Sequence, residues 1–185
     1  ARLAEFEKVC VGIDFSKNLK DMRFGDNMRD VAVTEGDKVE AQNKLGWEVN
    51  FWAVGDLVKE MNAVTEDEVD ELCKVYFDQY DVATDNMDAI RYQAREEIAI
   101  KKMMDRNGCK AFSNTFQDLY GMEQLPGLAS KHLMAQGYGY GGEGDWKVSA
   151  MTAILKKMGD GENGASAFME DYTYNLVPGE EGILQ

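Results

Sequence analysis

The order of segments in this chain predicts an α/β domain of three layers, with a parallel sheet covered by helices on both faces. Two observations carry that expectation. Helical patterns, with apolar residues at steps of three and four, alternate with short extended runs over residues 20–160. The extended runs at 21–24, 47–54 and 109–113 are apolar or alternating, and each gives way to a helical pattern further on. Strand-helix alternation of this kind folds as a parallel sheet with its helices outside.

Each element has its own signal. The first helical stripe is Leu3, Phe6, Cys10 and Ile13. Residues 21–24 form a short buried strand that opens onto the loop Gly25-Asp-Asn-Met-Arg29. A helix over 37–44 stops at Gly46, and 47–54 alternates as a strand before a short helix that begins at Gly55. Thr65-Glu-Asp-Glu68 is a capping box, in which the threonine oxygen and the glutamate carboxylate each satisfy a backbone N–H left free at a helix start. The helix it opens reaches Tyr80. A long helix begins near Asp85, carries Ile90, Ala94, Ile98 and Met103 on one stripe, and ends at Asn107-Gly108. Helices at 128–135 and 146–158 bracket a glycine-rich loop. Residues 160–164 then read as a polar linker, and 167–176 alternate like an antiparallel strand. The expected organisation is a helix from a preceding domain at 1–19, a central α/β domain at 20–160, and a linker with the first strand of a β-rich domain at 161–185. Opening inside a helical pattern at Ala1 and stopping on Ile183-Leu184-Gln185, the chain reads as an internal segment of a longer protein.

Composition narrows the function classes. With 185 residues, 44% of them hydrophobic and 29% charged, the chain has the make-up of a soluble globular domain with a real core. Its 34 acidic and 20 basic residues leave a net charge of −14, and no basic cluster offers the counterion release that nucleic acid or an anionic membrane surface rewards. Neither is expected as a partner. Three cysteines without metal spacing, Cys10, Cys73 and Cys109, suit reduced thiols and a cytoplasmic location.

Chemistry concentrates at two glutamates. Glu143 stands among glycines in Gly141-Gly-Glu-Gly-Asp145, where backbone can bend tightly and approach a ligand, and Glu170 stands in the alternating aromatic run Phe168-Met-Glu-Asp-Tyr-Thr-Tyr174. Two carboxylates on separate elements with one helix between them can converge on one divalent cation or one proton-transfer substrate. In a parallel sheet such a site belongs at the carboxyl ends of the strands, so the loop after Ser113 and the glycine loop are the expected edge.

Blander readings cover the remaining candidates. Gly137-x-Gly139-x-x-Gly142 matches the dinucleotide fingerprint in spacing, but that motif follows a strand, whereas a helical pattern ending at Gln136 precedes it here. No P-loop lysine is present, and a carboxylate at Glu143 would repel a pyrophosphate. His132, flanked by Leu133 and Met134 on a helix, reads as a satisfied residue of the fold rather than a ligand. Glu66-Asp67-Glu68 suits the dipole of a helix start, and the scattered methionines read as core filler.

Eight ordered motifs spread over nearly the whole chain resemble the L-arabinose isomerase family: Arg23-Phe-Gly-Asp-Asn-Met-Arg29, Val33-Thr-Glu-Gly-Asp-Lys-Val-Glu-Ala-Gln42, Val54-Gly-Asp-Leu57, Phe116-Gln-Asp-Leu119, Gln124-Leu-Pro-Gly-Leu-Ala129, Gln136-Gly-Tyr-Gly139, Gly142-Glu-Gly-Asp-Trp-Lys147 and Phe168-Met-Glu-Asp-Tyr-Thr-Tyr174. The resemblance implies the middle, Rossmann-like domain of fucose isomerase type, with the end of the domain before it and the start of a β domain after it. It implies interconversion of L-arabinose and L-ribulose, and often of D-galactose and D-tagatose, with a divalent metal, usually Mn²⁺. Glu143 and Glu170 fall on the family's two metal-binding glutamates, while its two metal-binding histidines belong to a region beyond Gln185. Ser113, Phe116, Gln124 and Tyr172 fall where the family lines its sugar pocket, with Ser113 replacing the more usual threonine. A homo-oligomer, hexamer or tetramer, in which a neighbouring subunit completes the pocket is also implied. The competing expectation is a non-catalytic sugar- or metal-binding module that uses the same loops.

Overall fold

The computed structural model describes residues 2–160 and 166–169, together with the backbone of the strand pairs at 174–175 and 183–184. Helix α1 (Arg2–Ser16) leads into β1 (Lys20–Phe24), a 3-10 turn (Ala32–Thr34), α2 (Lys38–Leu45), β2 (Glu48–Trp52), α3 (Val54–Ala63), α4 (Glu66–Gln79), α5 (Met87–Asn107), β3 (Ala111–Asn114), α6 (Gly127–Ala135), β4 (Gly139–Gly141) and α7 (Trp146–Met158). Beyond these, β5 (Tyr174–Asn175) pairs antiparallel with β6 (Ile183–Leu184).

The first four strands form one parallel sheet in the order β2-β1-β3-β4. Alternation along the strands divides the core in two. Met22, Phe24, Phe112 and Tyr140 point into a large apolar cluster beneath α3, α4, α5 and α6, whereas Ala111 points into a smaller one built from Leu19, Trp47, Trp146, Ala150, Ala153 and Ile154 beneath α2 and α7. This is the expected three-layer, Rossmann-like α/β fold. Fully burying each of the larger apolar side chains is worth about 1.5 to 3 kcal/mol against leaving it in water, so the α5–α6 side carries most of the stabilisation.

Local chemistry explains the boundaries. Asp37 caps α2 by accepting from the Glu40 N–H at 2.8 Å, and the Thr65–Glu68 capping box forms in full at the start of α4. Asn86 caps α5 through the Ala89 N–H, and Gly46 and Gly108 stop α2 and α5.

Two sequence expectations need correction. The glycine run after α6 is not a loop throughout: Gly139–Gly141 is the edge strand β4, paired with β3 from Ala111↔Gly139 to Ser113↔Gly141. A Cβ at Gly139 would overlap the Ser149 carbonyl and one at Gly141 the Asp145 carbonyl, so the missing side chains let α7 lie directly on the strand. The expected strand over 167–176 is also not formed at its start. Residues 166–169 belong to no strand, and Phe168 packs edge-on against Tyr140 at 5.5 Å, while 174–175 pair with 183–184 and 170–173 lie outside the described residues.

Candidate active site

Strand order reverses between β1 and β3, so their carboxyl ends flank the crevice where open parallel sheets bind ligands. Three loops meet there. The loop after β1 touches the loop after β3 where the Arg29 N–H donates to the Gln117 side chain at 2.7 Å, and where Gly25 presses on Asp118. The loop after β4 carries Glu143. Its flanks are held from both sides: the Gly144 N–H donates to the Asn114 carbonyl of β3 at 2.9 Å, and the Met28 N–H donates to the Glu143 carbonyl at 2.8 Å.

Glu143 itself has φ +59°, in the left-handed region that costs a side-chain-bearing residue about 1 to 2 kcal/mol. Among the described residues only Asp30, in the loop after β1, shares that feature without being glycine. Both lie at the same end of the sheet. Glu143 is half-buried, so its carboxylate is neither sealed in the core nor fully in solvent.

The other sequence-derived residues fall in different settings. Ser113 is fully buried in β3, and its hydroxyl donates to the Gly141 carbonyl at 2.7 Å, which ties it to the strand beneath Glu143. Phe116 is half-exposed on the loop after β3, one residue before Gln117. Gln124 lies ahead of α6 and accepts from the Gln93 side chain of α5 at 3.0 Å. Glu170 and Tyr172 lie outside the described residues. His132 is buried with Nδ1 2.6 Å from the Glu97 carboxylate, so it belongs to the core, as its sequence setting suggests.

Sequence reasoning passed over two charged residues beneath this edge. Asp21 and Arg23 alternate with Met22 and Phe24 on β1, and in a sheet covered on both faces that alternation buries the charges too. Asp21 accepts a hydrogen bond from Ser149, and burial pushes its carboxyl up to about 7 against the pull of Ser149 and Arg23. Arg23 reaches Glu35 at 3.0 Å and Asp26 at 3.2 Å, both on the loop that leads away from β1.

As a metal donor, a carboxylate at Glu143 suits a hard divalent cation. Among the described residues no three His, Cys, Asp or Glu side chains gather as a ligand cluster.

Comparison with known proteins is decisive at this point. The model of the L-arabinose isomerase central domain matches residues 20–161. The chain belongs to the L-arabinose isomerase family. It is 52% identical over its whole length to L-arabinose isomerase of Oceanobacillus iheyensis, covering 40% of that protein. It is 50% identical over 99% of its length to the Geobacillus stearothermophilus enzyme, covering 38%, and 49% identical over 99% to that of Thermotoga neapolitana, covering 37%. The chain thus spans about two-fifths of the length of these family members. The matched region coincides with the sheet and its helices, from the first residue of β1 to just past α7. Among the described residues no helix is long and apolar enough to cross a membrane.

Proposed function

We propose that the chain forms the central domain of a metal-dependent aldose-ketose isomerase that interconverts L-arabinose and L-ribulose, with D-galactose and D-tagatose as a second pair. The observation that carries this reading is the left-handed Glu143, gripped through its backbone at the carboxyl edge of the sheet beside the strand-order reversal. Strained backbone on a side-chain-bearing residue persists where the surroundings over-determine it, and it collects at ligand sites.

In the proposed reaction one carboxylate removes the C2 proton of the open-chain aldose while the carbonyl oxygen O1 takes up a proton, leaving an enediol across C1 and C2. The proton returns at C1, and loss of the O2 proton leaves the ketone at C2. Glu143 takes one of these proton-handling roles and Glu170 the other. A divalent cation, Mn²⁺ by family resemblance, supplies Lewis acidity to the two sugar oxygens when bound, with Glu143 and Glu170 as its carboxylate donors. Phe116 and Tyr172 offer apolar surface to the sugar, Gln124 an amide, and Ser113 holds β4 under Glu143. A homo-oligomer that completes the pocket and a cytoplasmic location belong to the same reading.

The test is made in the full-length enzyme. Glu143→Gln keeps shape and removes the charge, and kcat falls by roughly two to four powers of ten while the fold stays intact. Glu170→Ala weakens Mn²⁺ binding by calorimetry, whereas its neighbour variant Asp171→Ala keeps the metal. Near-normal turnover by Glu143→Gln returns that residue to a turn and removes the reading.

A further inference from the structure

The loop between β1 and α2 runs over residues 25–37 and lies across the Glu143 turn like a strap. At its near end, the Asp26 carbonyl sits so close to Gly144 that a Cβ there would come within 2.5 Å of it, and two residues later the Met28 N–H binds the Glu143 carbonyl. At its far end, the Glu35 carbonyl accepts from the Trp146 indole and the Val33 carbonyl accepts from Lys147 Nζ at 2.7 Å. Trp146 and Lys147 open α7, immediately after the turn. The strap therefore spans the segment that carries Glu143 and is anchored just beyond it.

One side chain joins the two ends. Arg23 is 2% exposed on β1, beneath the strap, and its Nη2 reaches Asp26 Oδ1 at 3.2 Å and Glu35 Oε2 at 3.0 Å. A buried guanidinium is costly to hold without partners, and these two carboxylates are its ion-pair partners among the described residues. Its Nε has no partner among them. Both ends of the strap are thus tied to a single buried charge, and the end at Asp26 also carries the Asp26 and Met28 backbone contacts on Gly144 and Glu143.

We infer that Arg23 is a positioning residue for Glu143: by clamping Asp26 and Glu35 it holds the strap, and the strap holds the Glu143 turn in its left-handed conformation. Arg23 touches neither sugar nor metal in this assignment. It rests on the functional reading above, and it adds a specific dependence of the Glu143 carboxylate on a buried residue of β1 beneath the loop.

The experiment uses the full-length enzyme and three variants beside the parent, Arg23→Met, Arg23→Lys and Glu35→Ala, with Glu143→Gln as the reference for a lost carboxylate. Removing a group that orients a reacting or ligating side chain typically costs ten- to a hundredfold. Arg23→Met is expected to lower kcat on L-arabinose by that factor with KM nearly unchanged. Amide hydrogen exchange over residues 26–30 rises in the same variant, because the Met28 N–H is released from Glu143. Arg23→Lys keeps a charge at the clamp and recovers most of kcat. If Arg23→Met fails to fold, Glu35→Ala cuts the same clamp from its half-exposed side and gives the same split, less strongly. Unchanged kcat and exchange in the folded clamp variants, beside a Glu143→Gln enzyme that is inactive, overturns the positioning role alone. Normal turnover by Glu143→Gln overturns the functional reading and the positioning with it.

Discussion

Glu97 and Glu143 are glutamates placed by opposite means. Glu97 sits within α5 on ordinary helical backbone, 2% exposed, and its carboxylate receives the Tyr76 hydroxyl at 2.5 Å, the Gln136 amide at 2.8 Å and the His132 ring at 2.6 Å. Burial, and then the carboxylate itself, hold the Tyr76 hydroxyl far above its usual titration range, so it remains a donor. Glu143 is half-buried, its backbone is left-handed, and the structure grips its main chain through Met28 and its neighbour Gly144. In one place the fold saturates a carboxylate to fasten helices together. In the other it accepts backbone strain to hold a carboxylate at the sheet edge. Deep burial on regular helical backbone marks a structural glutamate; a strained backbone at a ligand-binding edge marks a candidate for function.

The contrast is sharpened most by removing the saturated member. Glu97→Ala leaves Tyr76 and His132 buried beside a gap and takes an acceptor from the exposed Gln136, and breaking a buried pair in this way costs about 3 to 5 kcal/mol. In urea melts of the full-length enzyme the variant should lose stability on that scale, while turnover per folded molecule stays at the parent level. A variant that folds well yet loses turnover would move Glu97 into the chemistry and erase the distinction.

Asp21 lies between the two cases, buried like Glu97 but only partly satisfied. Its Oδ2 accepts from Ser149, its Oδ1 has no partner among the described residues, and burial raises its carboxyl from 3.8 to about 7, with Arg23 opposing and Asp145 adding to the rise. A raised carboxyl means that the folded chain keeps a proton the unfolded chain has released. Stability therefore falls as pH rises from about 4 to about 7, and the penalty is complete above about 7. Glu96, pushed up to about 8 by burial, acts in the same direction. Asp21→Asn removes one contribution and leaves the other. Relative to the parent, it should gain roughly 2 to 4 kcal/mol across that window, read as denaturation midpoints against pH. A parent and variant with parallel profiles would mean that Asp21 is ionised and satisfied when folded.

Most of the framework was legible in the residues, for identifiable reasons. The helices over 128–135 and 146–158, the Thr65 capping box and the Gly108 stop are set by local chemistry that a sequence displays directly. β4 was illegible because a strand written Gly-Tyr-Gly shows no side-chain alternation; what makes it a strand is the close packing of α7, which lies elsewhere in the chain. Glu143 was legible as a candidate because glycines surround it, and Ser113 and Gln124 only through family resemblance. The Arg23 clamp was not, since its partners are loop residues whose path depends on the folded strap. Phe168 was read as part of a strand and instead packs on Tyr140, because an aromatic alternation satisfies a core contact as readily as a sheet.

The smallest expected effect tests the other half of the comparison. Replacing Glu143 by glycine removes the carboxylate and at the same time relieves the left-handed backbone, since glycine adopts φ near +59° without penalty. Relief is worth about 1 to 2 kcal/mol, and the extra freedom of glycine in the unfolded chain takes back roughly 0.5 to 1 kcal/mol. On backbone grounds Glu143→Gly should therefore be as stable as the parent or more stable by up to about 1.5 kcal/mol, less whatever the contacts of its carboxylate contribute, even though the proposed activity is lost. The same denaturation assay that registers Glu97→Ala as severe would register this change as neutral or favourable. If Glu143→Gly instead lost stability on the scale of Glu97→Ala, its side chain would be fastening the fold, and the strain at the sheet edge would have a structural cause.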